Sequence, residues 1–275
     1  MTSATEPVRL AAPFVLVTGG KGGVGKTTLA ANLGVQLARE GRRVLVVDLD
    51  LGLANVNVLL GLESGATVED VFAGRAELRD CVRSGPGGVD VLVAGSGEGR
   101  MAVLGPERRG AFLQGLKELS GEYELVLGDS AAGIGPDVLH FAAVADRVLV
   151  VTTPEVAALT DAYGLIKALD RHGARTRADI PTPEVVVNLS SGVEEGHAVA
   201  AKLRAICERF LARSPRQAGW IPRSPRVAES AARQAPFVRG ERRVLEELCL
   251  RQITGRLERL CGPPAARGGG FPLKA

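Results

Sequence analysis

The chain has 275 residues, 45% of them apolar and 4% aromatic, a length that suits one large domain better than two. It holds no run of about twenty uncharged apolar residues, which excludes a membrane-spanning helix, and residues 1–12 do not read as a secretory signal. The net charge of +3 hides an asymmetry: residues 201–275 carry 16 Lys/Arg against 6 Asp/Glu, and residues 1–200 carry 18 against 25.

The four cysteines (Cys81, Cys207, Cys249, Cys261) are scattered without C-x-x-C spacing. They fit free thiols in a reducing cytoplasm, not a disulfide framework or a metal site. Residues 1–12 are expected to form a disordered tail ahead of a single domain over 13–261. Phe14-Val15-Leu16-Val17-Thr18 reads as a short buried parallel strand. It leads into Gly20-Lys21-Gly22-Gly23-Val24-Gly25-Lys26-Thr27, the P-loop spacing G-x-x-x-x-G-K-[ST]. Backbone N–H groups from Gly20, Gly22, Gly23, Val24 and Gly25 are expected to wrap a phosphate chain. Lys26 would reach the β/γ-phosphates, and the Thr27 hydroxyl would ligate Mg²⁺. Thr28–Ala38 has helical periodicity, so strand, loop and helix N-terminus together make an anion site.

The next strand, Arg43–Asp48, ends on one carboxylate with Asp50 two residues on. If the extended geometry persists, both point to one side, where they can orient an attacking water or hold the Mg²⁺ shell. Further strands are expected at Val89–Ala94, Tyr123–Leu127, Arg147–Thr152, Glu184–Asn188 and Ala218–Ile221, with helices at Pro106–Ser120, Val156–His172 and Glu194–Ala212. Asp129, after the strand 123–127, is placed like a Walker-B carboxylate, and Ala131, Ala132 and Gly133 would let a switch segment follow the γ-phosphate. This alternation predicts an α/β, P-loop NTPase fold, a mostly parallel, doubly wound sheet with helices on both faces and ligands at the carboxyl ends of the strands. Within residues 241–261, Val244, Leu245, Leu248, Cys249, Ile253, Leu257 and Leu260 share one helical face among Arg242, Arg243, Arg251, Arg256 and Arg259. That amphipathic helix either lies on anionic lipid, the reading favoured here, or packs on the sheet. Residues 262–275 read as a second disordered tail.

Lys21-Gly22-Gly23-Val24-Gly25-Lys26-Thr27-Thr28 resembles the deviant Walker A of the MinD/ParA ATPases. Asp48 to Gly61, Asp129-Ser130-Ala131-Ala132-Gly133, Val151 to Glu155, Thr160 to Lys167, Ile221-Pro222 and Gln234-Ala235-Pro236-Phe237 are similar to its MinD-like FlhG (FleN) branch. The resemblance implies a homodimer formed with ATP and Mg²⁺, in which Lys21 reaches across to the other copy's nucleotide as an arginine finger does. It further implies that Asp50 positions the hydrolytic water, that Thr27, Asp48 and Asp129 manage Mg²⁺, and that Thr28 binds the α-phosphate. Asn188 resembles the family's base-reading asparagine, with Pro222 beside the adenine. Leu189-Ser190-Ser191 offers no Asp of the kind a GTPase needs there, which favours ATP.

The implied role is slow, regulatory ATP hydrolysis that governs flagellar placement or number at the inner face of the cell membrane. FlhF, flagellar C-ring proteins or a flagellar transcription activator would be the partners. Residues 1–12 hold no glutamine-containing activator segment, so stimulation of FlhF is not expected. The alternative is a ParA-type partitioning or MinD-type division-site ATPase whose basic C-terminal quarter meets DNA or membrane. Asp50-Leu51-Gly52 departs from the Asp-Pro-Gln usual in ParA. An iron–sulfur carrier would need paired cysteines that these four do not supply.

Overall fold

A computed structural model of the chain describes residues 8–50, 55–63, 65–93, 104–241 and 243–262. In chain order its elements are β1 (Phe14–Thr18), α1 (Lys26–Arg39), β2 (Val44–Leu49), α2 (Val56–Leu59), α3 (Val68–Phe72), β3 (Val82–Ser84), β4 (Asp90–Leu92), α4 (Pro106–Ser120), β5 (Leu125–Ser130), α5 (Pro136–Val144), β6 (Arg147–Thr152), α6 (Val156–Thr176), β7 (Glu184–Ser190), α7 (Val193–Leu211), β8 (Arg216–Pro222), α8 (Pro225–Ala232) and α9 (Leu245–Leu257).

β1, β2 and β5 are buried at every position, which requires helices over both faces of the sheet. The strand order is β3-β4-β2-β5-β1-β6-β7-β8, and every pairing is parallel except β3 with β4. From β1 the chain moves to β2 on one side, and after β5 it crosses to β6 on the other. The direction of winding therefore reverses at β1, which opens a crevice at the carboxyl ends of the central strands. The expected doubly wound α/β fold is the one observed.

α1 lies close on the sheet. A Cβ at Gly34 would run into the Val46 side chain, so this helix accepts a glycine costing about 1 kcal/mol relative to alanine in return for close approach. Asn32, 1% exposed, turns its amide back to the Thr28 carbonyl and accepts the Phe237 and Val238 N–H groups, stapling the C-terminal segment to α1.

Several expectations change. β5 runs on to Ser130, so Asp129 lies inside the strand, paired with Val17 on one side and Asp48 on the other. A central strand is held from both sides and outlasts its apolar run. Sequence reasoning missed α5 and α8, although each begins with Pro at its first helical positions after Gly135 or Ser224. It also missed β3, a three-residue antiparallel edge strand without an apolar run. The expected tail does not extend to residue 12: Ala12 is 5% exposed and the Ala11 N–H donates to Ser120 Oγ. Residues 1–7 and 263–275 lie outside the described residues, as does the Leu51–Ala54 part of the Asp48–Gly61 stretch.

The lipid reading of the last helix needs correction. Cys249, Leu250, Ile253 and Leu257 of α9 are each at most 3% exposed, and a Cβ on Gly219 of β8 would meet Ile253 Cγ1 at 2.6 Å. Most of the apolar stripe packs on the sheet, leaving Leu245 (51%) and Leu248 (43%) exposed. Glu247, fully buried, accepts the Arg239 and Gly240 N–H groups and anchors the loop before α9. Among the described residues no helix is long and apolar enough to cross a membrane.

Candidate nucleotide-binding site

The glycine loop joins the end of β1 to the start of α1. Gly25 is the N-cap of α1 at φ 90°, a conformation costly for a residue with a Cβ. The first turn of α1 contains no acid and opens on Lys26. A lysine at the positive end of a helix dipole runs against ordinary helix electrostatics and is tolerated where an anion completes the site. Lys26 is 8% exposed, and burial holds its pKa below the usual lysine value, while Asp129 and Asp50 oppose that shift. Both carboxylates are thus close enough to act on the Lys26 charge.

Asp129 is 1% exposed, and its pKa is pushed up to about 8, first by burial and then by the charge of Asp48. The Thr27 side chain hydrogen-bonds it and works the other way, as does Lys26. Its Oδ1 is buried without a hydrogen-bond partner. Asp48, directly across the β2–β5 pairing and also 1% exposed, is used differently. Its Oδ1 accepts the Asp50 N–H at 3.1 Å, and its Oδ2 accepts those of Asn55 at 2.9 Å and Val56 at 3.1 Å. Burial raises its pKa to about 6 and these three bonds restrain it. Asp48 therefore holds the backbone at residues 50, 55 and 56, while Asp129 keeps an open oxygen beside Thr27.

Among the described residues no three His, Cys, Asp or Glu side chains converge into a metal cage. One bare carboxylate oxygen beside a threonine hydroxyl at a helix N-terminus still fits Mg²⁺, which binds through one or two carboxylates plus substrate phosphates. Asp50 follows β2 half-buried. It borders a cavity of about 160 Å³ walled by Leu49, Ala131, Pro136, Val138 and Phe141. The loop after β5 closes on the glycine loop through a bond from the Gly133 N–H to the Gly19 carbonyl, 2.9 Å. Sequence reasoning did not anticipate that latch.

The other expected residues divide by position. Gly22 and Gly23 are exposed with open space beside them, whereas Gly20 abuts the Asp161 backbone of α6. Val24 is buried, and Thr27 and Thr28 are half-buried in the first turn of α1. Lys21 leaves its own loop and pairs with Glu155, the N-cap of α6, at 3.2 Å, with both side chains exposed. Asn188 and Pro222 stand at the carboxyl ends of β7 and β8, where the Asn188 amide donates to the Val24 carbonyl at 2.8 Å. Glu155 and Asn32 were missed as partners. An asparagine inside the apolar run of α1 was the available signal for Asn32; a pairing across 134 residues leaves none for Glu155.

Residues 15–237 match the CobQ/CobB/MinD/ParA nucleotide-binding domain model. The chain is 39% identical over 254 residues to the antiactivator FleN of Pseudomonas aeruginosa, covering 92% of this chain and 89% of that protein. It is 30% identical over 200 residues to the flagellum site-determining protein YlxH of Helicobacter pylori, covering 72% of this chain and 65% of that one. The solved MinD cell division protein of Aquifex aeolicus has a similar fold, with TM-score 0.72 and 27% identity, covering 96% of this chain and 100% of that one.

Proposed function

Because this chain belongs to the CobQ/CobB/MinD/ParA nucleotide-binding family, we propose that it is a MinD-like regulatory ATPase, an ATP-dependent dimer that hydrolyses ATP and governs flagellar number or placement. The observation that carries the catalytic part is the buried, unpartnered Asp129 Oδ1 beside Thr27 and Lys26 at the head of α1. Thr27 and Asp129 would hold Mg²⁺, which supplies positive charge to the phosphate oxygens. Asp48 would act on the metal through its water shell, since backbone donors occupy its own oxygens. Gly20, Gly22, Gly23, Val24 and Gly25 offer their N–H groups to the phosphates, Lys26 spans the β/γ-phosphates and Thr28 meets the α-phosphate. Asn188 and Pro222 border the base. Asp50 orients the attacking water.

Lys21, turned away from its own loop, would serve the nucleotide of a second copy, so ATP binding and dimer formation become one event. The likeness to FleN and YlxH supports the flagellar assignment. FleN is an antiactivator by name, which favours a flagellar transcription activator as partner over FlhF or the C-ring. The outer face of α9, with Leu245 and Leu248 exposed and flanked by the exposed Arg243 before the helix and Arg259 after it, is the surface left for an anionic membrane.

Two variants test the assignment. Lys26→Ala should lose ATP binding, and Asp50→Ala should keep it yet remain an ATP-bound dimer by light scattering. Undiminished affinity in the first, or a monomer with ATP in the second, would refute the corresponding role.

A further inference from the structure

The cavity beside Asp50 has apolar walls and one carboxylate left open. Leu49, Val138 and Phe141 in its lining are each at most 3% exposed. The other polar side chains at its border are engaged. The Ser130 hydroxyl donates to the Ala131 carbonyl at 2.9 Å, and Asp137 accepts the Leu104 N–H on one oxygen and Arg109 Nε on the other, each at 2.8 Å. Asp50 differs: no hydrogen bond or ion pair engages its carboxylate among the described residues. The head of α5 borders the same space, but Pro136 brings no N–H to it, and Asp137 in the first turn opposes the positive end of the helix dipole. A neutral apolar guest would desolvate the carboxylate without pairing it, and an anion would be repelled. A cation on a short hydrocarbon stem suits both the walls and the carboxylate.

We propose that this cavity is a binding site for a small primary alkylammonium ion, which pairs with Asp50 and withholds it from the attacking water, keeping the protein in its ATP state. The control of turnover rests on the role given to Asp50 above; the site itself does not. Size limits the guest. A single water needs roughly 10–15 Å³, and drug-sized ligands fill roughly 300–1,000 Å³. The volume of about 160 Å³ lies between them and suits a chain of about four carbons better than a ring system. None of residues 20–28 lines the cavity. An ammonium head on Asp50 therefore leaves the glycine loop to the nucleotide, so ATP stays bound while the water loses the group that orients it.

The probe is n-butylammonium, titrated at matched ionic strength into the nucleotide-free wild-type chain, Asp50→Asn and Val138→Phe, with the Leu49 and Val138 methyl signals followed by NMR. It should shift the wild-type signals saturably, with a Kd on the order of 1–10 mM for so small a ligand. n-Butanol should bind at least about tenfold more weakly, as should n-butylammonium to Asp50→Asn, which keeps the shape and loses the charge. Val138→Phe fills the space and should lose binding; Asp50→Asn stays informative should that variant fail to fold. A lysine side chain carries the same head, so Nα-acetyl-lysine amide is titrated in parallel. Its binding would admit a side chain from a partner protein, and its failure beside bound n-butylammonium would leave the site to free amines. Equal affinity for butanol and butylammonium, or an unchanged Kd in Asp50→Asn, would overturn the site. At saturating n-butylammonium, phosphate release should slow at least about tenfold while ATP affinity stays within about twofold. Unchanged turnover, with Asp50→Ala inactive, would overturn the control of hydrolysis alone. Unchanged turnover with Asp50→Ala also hydrolysing normally would remove the catalytic reading of Asp50 itself.

Discussion

β2 and β5 lie side by side and each carries an aspartate one residue before its end, the two facing each other in register, yet the chain treats the two ends in opposite ways. Asp48 is surrounded by donors: three backbone N–H groups, from residues 50, 55 and 56, bond to it. Asp129, equally buried, has an oxygen with no partner. Burial raises both carboxyls, but hydrogen bonds hold Asp48 to about 6, while the charge of Asp48 helps lift Asp129 to about 8. A buried acceptor without a donor is costly and persists where a ligand completes it. The first acid is spent on the fold, and the second, in the proposed reading, is kept for a cation.

Substitution should separate the two most sharply in turnover. Asp129→Asn removes the charge beside Thr27 and should lower Mg²⁺-dependent ATP hydrolysis by about 100-fold or more, measured by phosphate release. Hydrolysis within about twofold of wild type would erase the proposed contrast.

In stability the signs should be opposite. Asp48→Asn leaves the Asn55 or Asp50 side of its bonding without an acceptor and should cost about 2–4 kcal/mol in urea unfolding without metal or nucleotide. Asp129→Asn relieves a buried charge next to another and should raise the midpoint under the same conditions. Shifts in the same direction would mean that the two ends are equivalent.

The smallest effect concerns pH. The folded pKa of Asp129, about 8, lies above its ordinary 3.8. This group therefore favours the metal-free fold at low pH, and that favour is lost as pH rises from about 4 to about 8. Mg²⁺ bound to the carboxylate must displace the proton, so affinity for Mg-ADP should rise with pH up to about 8, with proton release seen by calorimetry in buffers of different ionisation enthalpy. Asp129→Asn should flatten both trends; an equal pH slope in that variant would assign the titration elsewhere.

Much of the nucleotide end was legible before any coordinates. Gly20 to Thr27 form one contiguous segment whose proposed phosphate contacts come from its backbone and from two adjacent side chains, Lys26 and Thr27, so spacing alone carries the signal. The strands around it are doubly apolar because both faces are covered, and that pattern sits in each run by itself. Helices α4, α6 and α7 were likewise visible from periodicity, to within a few residues at their ends. α9 had as clear a pattern and was misread. An apolar stripe flanked by arginines states that one face is to be covered without stating by what, and β8 with α1 supplied the cover that lipid was expected to provide.

By itself the sequence determined the P-loop, the buried sheet and the three acids at its carboxyl edge, because each rests on residues adjacent in the chain or on a local period. Only the tertiary structure decided what those residues do to one another. Strand register set Asp48 against Asp129, and the backbone at residues 55 and 56 gave the first its donors while Oδ1 of the second was left without a partner. Asn188 on Val24, Gly133 on Gly19 and Lys21 on Glu155 are contacts between segments more than a hundred residues apart. No local propensity encodes such distances; they follow from where the parallel crossovers set each strand down.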